Sequence, residues 1–220
     1  MLHKTIKNTD ITISNILLLI FTFILIFLIP LIPASIQSIC NSIIFSIIFI
    51  LAVFALSKAR KTMVYIAIIA FITQWVAEWL KMELLQYISF LTNIIFFEVV
   101  VIKLIIQIAK SKHVSAKVIL ESINVYLLLG IVFSTLVASL HLYNPNAFSF
   151  PKETPVTLQE IIYFTYVTMT TTGYGDITPQ IPVARSLSIM ISVCGQLYIA
   201  IIIAMLVGKF AATQSRSSNK

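Results

Sequence analysis

The stretch "TLQEIIYFTYVTMTTTGYGDITP", residues 157–179, decides the fold. It opens with Thr-x-x-Glu. This is a capping box, in which the Thr157 side chain accepts from the backbone of Glu160 and Glu160 reaches back. Pro155 just before it suits the start of a helix. The helix that follows, 157–170, holds about 12 to 14 residues and at about 1.5 Å each crosses only part of a hydrocarbon layer about 30 Å thick. The chain must then return as non-helical backbone. Within a membrane such backbone is tolerated only where protein buries it or where it lines a water-filled path. These residues therefore predict a re-entrant loop that lines a pore.

The surroundings agree. Of 220 residues, 59% are hydrophobic and 10% charged, far from the composition of a soluble domain. A spanning helix needs about 20 apolar residues. Segments 11–29, 36–56, 63–80, 84–109, 122–143 and 187–207 qualify, and little remains for a separate water-soluble domain. The expected class is an all-α membrane protein with six transmembrane helices, a re-entrant pore helix and a filter loop. The first span carries 19 uncharged residues, longer than a signal-peptide core, so it is expected to stay. Cys40 and Cys194 fall in separate spans and read as buried free thiols.

The net charge of +7 could suggest nucleic acid, but its placement argues for orientation instead. Lys4, Lys7, Lys58, Arg60, Lys61, Lys103, Lys110, Lys112, Lys117, Lys209, Arg216 and Lys220 fall on one side, which is 12 of the 15 basic residues. Lys81, Lys152 and Arg185 fall on the other. Positive residues stay in the cytoplasm during insertion, so both termini are expected inside. An even number of spans, which puts both termini on one side, agrees with this. Trp75 and Trp79, with Glu78, Lys81 and Glu83 close by, are expected in the headgroup belt at the outer end of the third span.

Glycine adopts positive φ angles that other residues avoid. Alternating such residues with ordinary ones points successive carbonyls the same way. Four copies around an axis would make stacked oxygen rings that replace the water shell of a dehydrated cation. On "VTMTTTGYGDITP" the chain resembles the tetrameric pore-loop potassium channels, over residues 122–208. The resemblance implies a homotetramer in membrane lipid that conducts potassium ions through loops of Thr171, Thr172, Gly173, Tyr174 and Gly175. The carbonyls of the first four, with the Thr171 hydroxyl innermost, would hold the ion, and Asp176 would form an acidic ring at the outer mouth. The C-terminal end of each half-helix carries partial negative charge and would favour a cation at the midplane. Bacterial relatives imply the inner (plasma) membrane. No cofactor and no nucleic-acid partner is implied. Nor is an enzyme, since His113 and His141 have no metal or nucleophile partner in the sequence.

The chain departs from the family pattern in places. Thr172 stands where valine is usual; its side chain points away from the ions, so selectivity should survive while filter stability changes. Tyr163 and Phe164 stand where two tryptophans are common. The Tyr163 hydroxyl is expected to bond Asp176 behind the filter, supporting it. Val167 stands where some bacterial relatives carry glutamate.

The expected organisation is a four-helix N-terminal domain (1–117), a pore domain (118–210) and a short cytoplasmic tail (211–220). Gly195, near the middle of the last span, is a candidate gating hinge or a site of close packing. Gly130, Ser134 and Ala138, spaced by four, offer a small-residue face for helix contact. Ser38, Ser42 and Ser46 are expected to bond back to their own helix. A voltage sensor needs several charges, each worth about 2.3 kcal/mol per 100 mV. The fourth span holds no arginine, so voltage dependence is expected to be weak or absent. Glu98 is expected to pair with Lys103 or a neighbouring helix, and Lys103 to snorkel. Twelve residues follow Gly208, too few for a cytoplasmic ligand-binding domain. Two other readings stand beside potassium conduction. One is a weakly selective cation channel, because of Thr172. The other is a secondary transporter using Glu98 and Lys103, which the absence of paired broken-helix repeats disfavours.

Overall fold

The computed structural model describes all residues except 1, 57–59, 81, 112–113, 152–155 and 219–220. Lys58, Lys81, Lys112, His113, Lys152, Pro155 and Lys220, used above, lie outside the described residues. The chain is a mostly helical membrane protein. Helix α1 (Leu2–Phe23) continues through a π turn (Ile24–Leu28) and a 3-10 turn (Ile29–Leu31). Pro30 explains the change of winding. It has no N–H with which to extend the α ladder, and the Ile29 N–H reaches back to the Ile24 carbonyl instead. Then come α2 (Ala34–Ala55), α3 (Arg60–Leu80), α4 (Glu83–Ala109), α5 (Ala116–Tyr143), α6 (Leu158–Met169) and α7 (Pro182–Ser218). Two short strands, β1 (Phe148–Ser149) and β2 (Thr178–Pro179), pair antiparallel.

Among the described residues, five helical segments are long and apolar enough to cross a membrane: Ile11–Leu31, Ser35–Ala55, Leu84–Ala109, Ala116–Tyr143 and Pro182–Ala211. The third expected span falls on α3, which has 21 residues and carries the apolar stretch Met63–Ala77 among the described residues. The Trp75 indole N–H donates to the Ser46 hydroxyl on α2 at 3.0 Å. Ser46 in turn donates to the Ser42 carbonyl at 2.7 Å, as its spacing predicts. The fifth helix begins at Ala116 rather than 122, and the last is 37 residues long, about 55 Å at the helical rise. Cys40 and Cys194 are free thiols.

Two apolar clusters hold the helices together. The first joins α1, α2, α4 and α5 through Leu18, Leu25, Phe49, Phe96, Phe97 and Leu128. Phe49 stacks on Phe97 at 5.1 Å and meets Phe96 edge-on at 4.8 Å. The second surrounds α6 with Phe133 and Val137 of α5, Phe148 and Ile191.

Both α1 and α4 pack on α5 of the same chain, and polar bonds fix each contact. The Asn124 amide donates to the Asn15 carbonyl at 2.9 Å, with both residues fully buried. The Gln107 amide donates to the Glu121 carboxylate at 2.6 Å. In an apolar solvent such a bond is worth about 0.6–2 kcal/mol.

Glu98 and Lys103 do not pair. Among the described residues the ion pair is Lys117–Glu121, at 3.7 Å, and Glu98 is exposed. Residues five apart on a helix lie about 140° apart around it, so the two charges face different ways.

Candidate functional site: a half-helix and the loop at its tip

Helix α6 starts where its cap dictates. The Thr157 hydroxyl accepts from the Glu160 N–H at 3.3 Å, and the Glu160 carboxylate accepts from the Thr157 N–H at 2.8 Å. The helix has 12 residues, about 18 Å, and so ends well short of a bilayer's thickness. Each side of it is held. The Tyr166 hydroxyl donates to the Leu127 carbonyl of α5, and its ring lies directly over Gly130. A Cβ on that glycine would sit 2.3 Å from Tyr166 Cζ. The small-residue face of Gly130, Ser134 and Ala138 is buried, and it gives the half-helix room to approach. Phe148 packs edge-on against Phe164 at 5.2 Å. The Gln159 amide donates to the Asn41 side chain of α2 at 3.0 Å.

The tip of α6 rests on α7. A Cβ at Gly195 would sit 2.4 Å from the Met169 carbonyl oxygen and 2.5 Å from Met169 Cγ. Helix α7 runs unbroken through Gly195. Its glycine thus serves backbone-to-backbone contact beneath the half-helix.

Beyond Met169 the backbone closes the helix and turns. The Thr170 N–H donates to the Tyr166 carbonyl at 2.9 Å and the Thr171 N–H to that of Thr168 at 3.0 Å. The N–H groups of Thr172 (3.0 Å) and Gly173 (3.3 Å) both reach the Val167 carbonyl. From here positive φ recurs at every second residue: +60° at Thr171, +56° at Gly173 and +80° at Gly175. For a β-branched residue such as Thr171 this region is a genuine outlier, costing about 1–3 kcal/mol. Its hydroxyl donates to the Thr170 carbonyl at 2.6 Å and helps hold it there. No described residue donates a hydrogen bond to the carbonyl oxygens of residues 171–174, and this stretch is exposed. The loop therefore offers a run of backbone acceptors, and backbone acceptors at membrane depth require a partner.

Side chains brace the loop from behind and from its far end. The Thr172 hydroxyl lies 3.0 Å from that of Thr170, which donates to the Tyr166 carbonyl at 2.7 Å. Thr172 is thus turned back towards the half-helix. The Tyr163 hydroxyl donates to the Asp176 carboxylate at 2.7 Å, the bond expected from the sequence. Past Asp176 the chain enters β2, and the Gln180 N–H donates to the Ala147 carbonyl at 2.9 Å. Tyr163 and residues 171–176 are thus together, with Gly195 behind the tip. Glu98 and Lys103 on α4 take no part in the loop. Sequence reasoning missed Thr170 and Tyr166, whose bonds shape the turn and seat the half-helix.

No curated protein and no solved structure matches the chain. Residues 123–212 match the model of a family described as "Ion channel". That match takes in most of α5, all of α6 and its loop, and most of α7, so this part of an integral membrane protein is similar to an ion-channel domain.

Proposed function

We propose that the chain is one subunit of a homotetrameric potassium channel whose filter is made of four copies of residues 171–175. The observation that carries this reading is the alternation of positive φ at Thr171, Gly173 and Gly175, next to carbonyls that take no hydrogen bond from the described residues. A single loop supplies one side of a coordination shell, and four around an axis complete it. The ligands would be the carbonyls of Thr171, Thr172, Gly173 and Tyr174, with the Thr171 hydroxyl innermost. Asp176 would add an acidic ring at the outer mouth. The C-terminal end of α6 would contribute partial negative charge below the filter. Residues 118–210 would form the pore domain and 1–117 the domain that packs on it. The distribution of basic residues supports cytoplasmic termini, and the bacterial resemblance supports a plasma-membrane location. No cofactor is needed for passive conduction.

Purified protein in liposomes is expected to give a reversal potential that follows the potassium gradient and ignores sodium. A reversal potential set by both ions would favour the second reading, a weakly selective cation channel. The hydroxyl of Thr172 in place of an alkyl group motivates that reading, while its turn towards Thr170 argues against it. Because α4 carries no arginine, the same recordings are expected to show weak or no voltage dependence; currents rising steeply with depolarisation would contradict this.

The Tyr163–Asp176 bond would support the filter from behind. Tyr163→Phe removes only a hydroxyl. The variant is expected to assemble normally and to show currents that decline sooner under sustained conduction. Unchanged conductance and inactivation would show the bond to be dispensable.

A further inference from the structure

Where α4 and α5 join, the two helices border an open recess of about 620 Å³. From α4 it receives Lys103, Gln107 and Lys110. Their spacing of four and then three places all three on one helix face. From α5 it receives Lys117 and Glu121, one turn apart. Three ammonium groups thus face one carboxylate. That carboxylate is already engaged. The Glu121 side chain is 2% exposed, accepts from Gln107 at 2.6 Å and lies 3.7 Å from Lys117. No described carboxylate lies within ion-pair distance of Lys103 or Lys110. Uncompensated like charges near the hydrocarbon layer are costly, and a counter-anion relieves that cost.

Two further features set the chemistry of such an anion. Ser115, the residue capping α5, makes no side-chain cap hydrogen bond, and it lines the recess with Val118 of the first turn. The positive end of a 28-residue helix therefore borders the same space as the lysines, an arrangement that favours phosphate. Beside it, Ile106 lines the recess and is exposed, and Ile102 and Ile119 are exposed nearby. A basic recess with an apolar rim suits a headgroup and an acyl chain together.

We propose that this recess binds a phosphate-bearing anion, and the apolar rim favours an anionic phospholipid as its source. The Lys209 ammonium of α7 donates to the carbonyls of Ile108 (2.8 Å) and Ala109 (3.0 Å) at the end of α4. The binding itself does not depend on the potassium reading.

The test uses the purified full chain in detergent, with lipid binding followed by native mass spectrometry. Palmitoyl-oleoyl phosphatidylglycerol is compared with the zwitterionic phosphatidylcholine of the same chains. Wild type is expected to prefer the anionic lipid, and Lys103→Gln/Lys110→Gln to weaken its binding by about tenfold or more, the order expected for two lysines at a lipid surface. Lys103→Arg/Lys110→Arg is expected to retain the preference, as is Lys7→Gln, a basic residue elsewhere on the expected cytoplasmic side. Should the double glutamine variant fail to fold, Lys110→Gln alone is expected to lose about fivefold. Inorganic phosphate separates the sources. If phosphate binds wild type, needs Lys103 and Lys110, and the lipid preference is absent, the occupant is a soluble phosphate. A double glutamine variant that keeps the wild-type preference overturns the proposal. So does a wild type that prefers neither the anionic lipid nor phosphate.

Discussion

Replacing Gly175 by alanine is expected to abolish potassium conduction while leaving the protein folded and assembled. Gly175 sits at φ +80°, and within the chain a Cβ added there would meet nothing within 4 Å. The obstacle is conformational rather than steric crowding. An L-residue held in the left-handed region costs about 1–2 kcal/mol, and four loops sharing one axis would concentrate about four times that on the filter. The cheaper alternative is for the backbone to leave that region, which turns the adjoining Tyr174 carbonyl out of the row. Thr171 shows that such a cost can be borne, but its hydroxyl is bonded to the Thr170 carbonyl, and alanine offers no such bond. Gly173→Ala, at φ +56°, is expected to behave in the same way. Thr172→Val is the contrasting case. It removes the hydroxyl contact with Thr170 and leaves the alternation intact, so conduction is expected to persist. Flux from liposomes, read beside the assembled size in detergent, checks all three. Wild-type flux in Gly175→Ala would remove the alternating backbone from the mechanism.

The parts of this site that were legible in the sequence are those whose cause is local. Thr157 and Glu160 are three residues apart, so the start of α6 could be read directly. Its end follows from the run of threonines and glycines that no helix continues. The resemblance to pore-loop channels supplied the filter reading, including the Tyr163–Asp176 bond across 13 residues.

What was not legible depends on partners brought together from far along the chain. Glu121 sits just before the window read as the fifth span, and its burial becomes intelligible only with Gln107 across a helix junction. Asn15 and Asn124 are 109 residues apart, and nothing in either helix announces the other. Glu98 misled in the opposite direction. An acid within an apolar run invites a partner, yet it lies on an exposed face. The role of Gly130 was half legible. Its spacing with Ser134 and Ala138 announced a contact, but only the fold identifies Tyr166 as what fills it.

Gly195 poses the sharpest choice left open by the sequence, and Gly195→Ala resolves it. A glycine in mid-helix normally costs about 1 kcal/mol relative to alanine, so a mere hinge would gain thermal stability from the substitution and lose only bending. The close approach to Met169 predicts the reverse. The new methyl would lie 2.4 Å from a backbone oxygen at the tip of α6, an atom that cannot swing aside as a side chain can. Overpacking of this kind costs about 1–3 kcal/mol per chain, enough to outweigh the gain in helix propensity. The expected result is a melting temperature lowered by several degrees, with impaired conduction because the displaced tip carries the loop proposed as the filter. Adding Met169→Ala removes the Cγ contact at 2.5 Å but not the carbonyl one, so stability is expected to recover only in part. A Gly195→Ala protein that melts no lower than wild type but opens less often would instead assign this glycine to bending of α7.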